Sequence, residues 1–154
     1  MLILQGVAFQ LRTDTRNSAF YIHDSDNDDG TLEISLDATF LKNSFESNNV
    51  GPYLSINPIQ TGKKTLSEIK GMSFEIKTIE EADEREDTFY IFEHEPLLHY
   101  TLTVLELSDN EAHIQCTGVA ITDGYSKPYK SADFTMDCRL PVITNKNDWI
   151  KYGL

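Results

Sequence analysis

The sequence predicts an all-β, single-domain fold: a bent antiparallel sheet, closed as a barrel or stacked as a sandwich, with about eight strands and one short helix. Three observations carry this. Apolar and polar residues alternate with period two along most of the 154-residue chain, helical spacing is scarce, and the alternation shifts phase at two glycines. Many short strands with turn signals and little helix are accommodated by a sandwich or a barrel.

In chain order, "GVAFQLR" alternates Val7, Phe9 and Leu11; "SAFYIHD" carries Phe20 and Ile22; "TLEISLD" carries Leu32, Ile34 and Leu36. "DATFLKNSFES" (37–47) is expected to be the short helix, with Asp37 as its N-cap. "GMSFEIKTI" supplies Phe74 and Ile76, and "TFYIFEHE" is aromatic enough for a strand. In "LLHYTLTVLEL", Leu98, Tyr100, Leu102 and Val104 are expected on one face. "SDNE" is a turn, followed by "AHIQCTGVAIT" and by "ADFTMDCRLPVI", where Phe134, Met136, Cys138 and Leu140 alternate with polar residues. The tail "NKNDWIKYGL" is expected to form a helical turn. The one-residue shifts at Gly6 and Gly118 read as β-bulges, which favour a strongly curved sheet or barrel. No linker or repeat divides residues 1–154.

Thirteen basic residues against 25 acidic ones give a formal net charge of -12. Phosphate backbones and anionic membranes are held by Lys and Arg, so this balance argues against nucleic acid and membrane as partners and for a basic one. No apolar run of 18 residues is present, and "MLILQGVAFQLRT" lacks the basic start of a secretion signal. With two cysteines, Cys116 and Cys138, the expectation is a cytoplasmic protein with free thiols.

Motifs that suggest chemistry fail on spacing. "DSDNDDG" (24–30) imitates a calcium loop. Counting from Asp24 puts Asp29 where glycine is needed, and counting from Ser25 puts Leu36 where the closing Glu belongs. A hairpin loop with Gly30 at positive φ is expected instead. "HEPLLH" (94–99) spaces its histidines by five around Pro96, not by the four of a zinc-peptidase helix. On a strand they point to opposite faces, and on a helix they lie about 140° apart. Cys116 and Cys138 fall opposite each other if the last two strands form a hairpin centred on Lys127, as contiguous core. There is no G-x-S-x-G elbow and no phosphate loop. No catalytic residue, metal ligand or cofactor is expected, and the chain is read as a non-enzyme.

Two surface segments remain. "EEADERED" (80–87) concentrates Glu80, Glu81, Asp83, Glu84, Glu86 and Asp87, which form either a solvated loop or a docking surface that steers a basic partner. "DGYSKPYK" (123–130) presents Tyr125 and Tyr129, side chains suited to anchoring an interface. With "FYIFEHEPLLHYTLTVLEL" and "ADFTMDCRLPVI" around them, these loops resemble the small acidic all-β immunity proteins of bacterial toxin–immunity pairs, including those of contact-dependent growth inhibition, over roughly residues 70–143. The resemblance implies a binding protein that neutralises a cognate, basic, nuclease-like toxin by occluding its active site or substrate path. It carries over no fixed functional residues. Two other readings are a small-molecule-binding β-barrel and an enzyme on a β scaffold.

Overall fold

The computed structural model describes residues 1–14 and 18–144. Its strands are β1 (Leu2–Leu4), β2 (Val7–Phe9), β3 (Ala19–Asp24), β4 (Leu32–Thr39), β5 (Asn43–Phe45), β6 (Asn48–Val50), β7 (Tyr53–Gln60), β8 (Ser73–Ile76), β9 (Thr88–Tyr90), β10 (His94–Leu107), β11 (Glu111–Asp123) and β12 (Lys130–Ile143). Two short helices, α1 (Leu66–Ile69) and α2 (Ile79–Arg85), interrupt them.

Seven strands close a ring in the order β3-β4-β7-β9-β10-β11-β12. The long strands β10, β11 and β12 form a meander, and its two edges are shared by shorter strands. On one edge β10 pairs first with β9 and then with β8. On the other, β12 pairs with β1 and then in parallel with β3, at Val142↔Phe20 and Ile143↔Tyr21, which completes the barrel. Period-two alternation fills the interior: Phe20, Leu36, Leu54, Phe89, Tyr100 and Phe134 are all buried. The rings of Phe89 and Phe134 meet across it at 5.6 Å. A barrel of about eight strands has an interior just wide enough for side chains or one small ligand, and this seven-stranded one turns these large apolar side chains inward.

The β5–β6 hairpin turns at Glu46 and Ser47, both at positive φ as a two-residue reversal requires. Its buried Phe45 and Val50 join the core, with Phe45 against Phe92 at 6.3 Å. These residues occupy part of the helix expected at 37–47. Leu36, Ala38 and Phe40 continue the buried alternation, and Asp37 pairs with Ser55 as a strand residue. Asp37 has no Glu or Gln three residues on to complete a capping box, so pairing with β7 prevails. Both helices that do form carry that signature, Thr65-x-x-Glu68 and Thr78-x-x-Glu81, with the threonine side chain accepting from the N–H of the glutamate. The expected tail helix lies outside the described residues.

The phase shifts have other origins than bulges at glycine. Gln5 and Gly6 (φ 47° and 77°) form the β1–β2 turn, so Leu2 faces Phe9 and Leu4 faces Val7 on one side. Gly118 sits in unbroken register with Phe134, and the bulge is across from it on β10, between Leu97 and His99. That bulge buries Leu97 beside Tyr100, leaves Leu98 half-buried and exposes both His94 and His99, in place of opposite faces. The β11–β12 register pairs Cys116 with Met136 and Cys138 with Ile114, so the cysteines are buried diagonal neighbours and do not sit opposite each other.

Candidate binding surfaces

The acidic segment is mostly helix. Thr78 caps α2, the Glu81 carboxylate reaches back to the Lys77 N–H at 3.3 Å, and Glu86 ends the helix at φ 59°. Ala82 is buried beneath it, which leaves Glu80, Glu81, Asp83, Glu84 and Glu86 exposed. Asp87 is a correction to the expected docking surface: it is 1% exposed and faces the core. Its carboxylate accepts from Tyr100 Oη at 2.5 Å, the Asn57 N–H at 2.8 Å, and Arg85 Nε and Nη2 at 2.8 and 3.3 Å. A buried carboxylate is tolerated when paired and fully hydrogen-bonded, and this one fastens α2 to β7 and β10. Burial, and then the Asp87 charge, push the Tyr100 hydroxyl well above the ordinary tyrosine range.

The tyrosine loop stands at the other end of β9, over the 91–93 turn. Tyr125 is 77% exposed and Tyr129 48%. Asp123 folds the loop, accepting from the Tyr125 N–H at 3.0 Å and from Ser126 Oγ at 2.7 Å. The Ser126 bond is the largest cause holding the Asp123 carboxyl below the usual range. Beside Tyr125 lies an open depression of about 340 Å³ lined by Glu46, Phe92, Glu93 and Asp123. The Glu95 carboxylate lies against Gly124, where an added Cβ would come within 2.3 Å of it. Glu46, Glu93 and Glu95 have no ion-pair partner among the described residues. The fold thus joins Tyr125 to a group of carboxylates distant in sequence, while Tyr129 lies outside the depression and α2 forms a separate acidic face.

A third surface was missed from the sequence. The outward positions of β3, β4, β7, β9 and the start of β10 align by register: Tyr21 with Ser35, Asp37 with Ser55 and Thr88, and Tyr53 with Tyr90 and His94. Tyr21, Asp37, Tyr53 and Ser55 line a groove of about 440 Å³. Asp37 Oδ1 accepts from both Tyr53 Oη and Ser55 Oγ at 2.8 Å. Burial raises the Tyr53 pKa to about 12, with the Asp37 hydrogen bond and charge adding to it. Tyr21 shifts the same way for the same leading cause. His23 stacks on Tyr21 with centroids 6.2 Å apart and planes 9° apart. The available signal was the content of the outward positions, which hold tyrosine, histidine and aspartate where a plain solvated face holds lysine and threonine.

The acidic loop "DSDNDDG" is the β3–β4 connection, with Gly30 at φ 79° and Asp29 Oδ1 accepting from the Thr31 N–H at 2.9 Å. Among the described residues no three His, Cys, Asp or Glu side chains are grouped to hold a metal ion. No described helix is long and apolar enough to cross a membrane.

No protein-family model, no curated protein and no solved structure matches this chain.

Proposed function

We propose that this protein is a binding module that neutralises a cognate basic protein toxin of nuclease type by covering its active site or substrate path. The observation that carries the proposal is the depression beside Tyr125. There the exposed Tyr125 ring adjoins Asp123 of its own loop and Glu46 and Glu93 of two neighbouring turns. A lysine or arginine side chain entering it meets carboxylates without ion-pair partners and a tyrosine ring, a combination of charge pairing and cation–π contact. Glu80, Glu81, Asp83, Glu84 and Glu86 on α2 add a second acidic field that steers the approach and raises the association rate. Asp87, being buried, has no part in it.

The test is affinity capture from the native lysate at low and high salt, followed by an activity assay of whatever is captured. The expected result is one basic protein, released by salt, whose activity is abolished by an equimolar amount of this chain. Charge reversal of the five exposed α2 carboxylates should slow association and flatten its salt dependence. A captured protein that stays fully active in the complex refutes neutralisation. An unchanged on-rate after charge reversal removes α2 from the interface.

A further inference from the structure

The outer groove over β3, β4 and β7 holds a carboxylate in an unusual setting. Asp37, Tyr21 and Tyr53 all line it, and the neighbours that bond the carboxylate, Tyr53 and Ser55, with Tyr21 also interacting with it, are neutral hydroxyls. No Lys, Arg or His pairs with Asp37 among the described residues. Arg85 reaches the groove's far end, where Nη1 and Nη2 donate to Pro58 O and Asn57 O, but its Nε and Nη2 are engaged by Asp87. The groove therefore offers one negative charge without a counter-ion between two half-buried aromatic rings. A partly desolvated carboxylate of this kind attracts a cation more strongly than one in open water.

We infer that this groove binds a guanidinium group, the side chain of an arginine. A guanidinium is planar and weakly hydrated, lies flat against a tyrosine ring and donates in-plane to a carboxylate. An ammonium is a more strongly hydrated point charge. The 440 Å³ volume accommodates such a side chain with room for the adjoining backbone. A second depression shares Tyr53 and continues past Tyr90 to His94. Tyr21 on β3 and His94 on β10 lie four strand spacings apart, roughly 19 Å across the strands, and are offset by a further four residues, roughly 13 Å, along them (Ser35 against Thr39 on β4). That span suits an extended segment of polypeptide running obliquely across the strands with its arginine seated at Asp37. The site stands on its own geometry and does not depend on the toxin partner proposed above.

The experiment is a chemical-shift titration of the whole chain with N-acetyl-arginine-methylamide, its uncharged citrulline counterpart, and free arginine. Saturable shifts centred on Tyr21, Ser35, Asp37, Tyr53 and Ser55 are expected with the arginine probe, and none with citrulline. Asp37→Asn should weaken binding at least tenfold, and neutralising Glu80, Glu81 and Glu84 together should leave it unchanged. Tyr21→Leu removes one aromatic wall while sparing the carboxylate, and should weaken binding several-fold even if Asp37→Asn fails to fold. Tighter binding of the blocked form identifies a chain-borne arginine and tighter binding of the free form identifies the amino acid; either supports the site. Equal response to citrulline, an unchanged affinity in Tyr21→Leu, or shifts confined to α2 and the 124–129 loop overturns it.

Discussion

Asp87→Ala separates a structural carboxylate from the interface carboxylates around it. In the folded protein Asp87 accepts four hydrogen bonds, from Tyr100, Asn57 and two nitrogens of Arg85. Truncation orphans the buried Tyr100 hydroxyl and the Asn57 N–H, each costing about 1–3 kcal/mol. Arg85 suffers less, because its side chain is 21% exposed and retains its bonds to Asn57 O and Pro58 O. The expected loss is about 3–5 kcal/mol, in line with the removal of one partner of a buried ion pair. For a chain of this size each kcal/mol moves the melting temperature by roughly 2–4 °C, so Tm should fall by roughly 6–20 °C. Urea and thermal unfolding followed by circular dichroism measure both quantities. Glu84→Gln, on the exposed face of α2, should stay within about 0.5 kcal/mol of the parent. Combining Asp87→Ala with Tyr100→Phe should cost less than the sum of the single changes, because the orphaned hydroxyl is removed with its acceptor. An Asp87→Ala protein as stable as the parent would refute the anchoring role and return Asp87 to the surface.

Other outcomes follow from the same packing. Gly118→Ala places a Cβ 2.3 Å from His99 O and 2.8 Å from Tyr100 Cβ, a clash with a neighbouring strand, and should cost about 2–3 kcal/mol of unfolding free energy. Stability should be lost at alkaline pH. Tyr100 is held protonated by burial and then by Asp87, and Cys116 by burial first, so the folded chain keeps protons that the unfolded chain releases above about pH 9–10. The contribution is therefore fully present below that range and falls as pH rises through it. Tyr100→Phe should flatten the decline, as measured by urea midpoints from pH 7 to 11. Cys116, with no exposure, should react with a thiol reagent only at the rate of global unfolding, and stopped-flow labelling against urea kinetics checks this.

The comparison of sequence and structure turns on which forces are local. Alternation of Phe134, Met136, Cys138 and Leu140 identifies strand β12 and its inward face because a side chain's face is set by its own position in the pleat. All-β class, chain reversal at "DSDNDDG" and the absence of helical period over most of the chain are legible for the same reason. Even α2 announced itself locally, in Thr78-x-x-Glu81, although the density of charge around it suggested a loop.

Pairing is a different matter, since strand partners are chosen by the whole chain. Closure of the ring through two parallel pairs between β12 and β3, the capture of 37–47 by β7 and by a hairpin, and the bulge at Leu98 instead of Gly118 depend on contacts distant in sequence. The surfaces follow suit. Asp87 and Glu86 are adjacent acids, yet one is enclosed by Tyr100 and Asn57 and the other is exposed, a difference invisible in composition. Asp37, Tyr21 and Tyr53 come from three strands and meet only through register. Residue types and faces are thus a property of the local chain, whereas burial of a charge and assembly of a site belong to the closed barrel that brings the strands together.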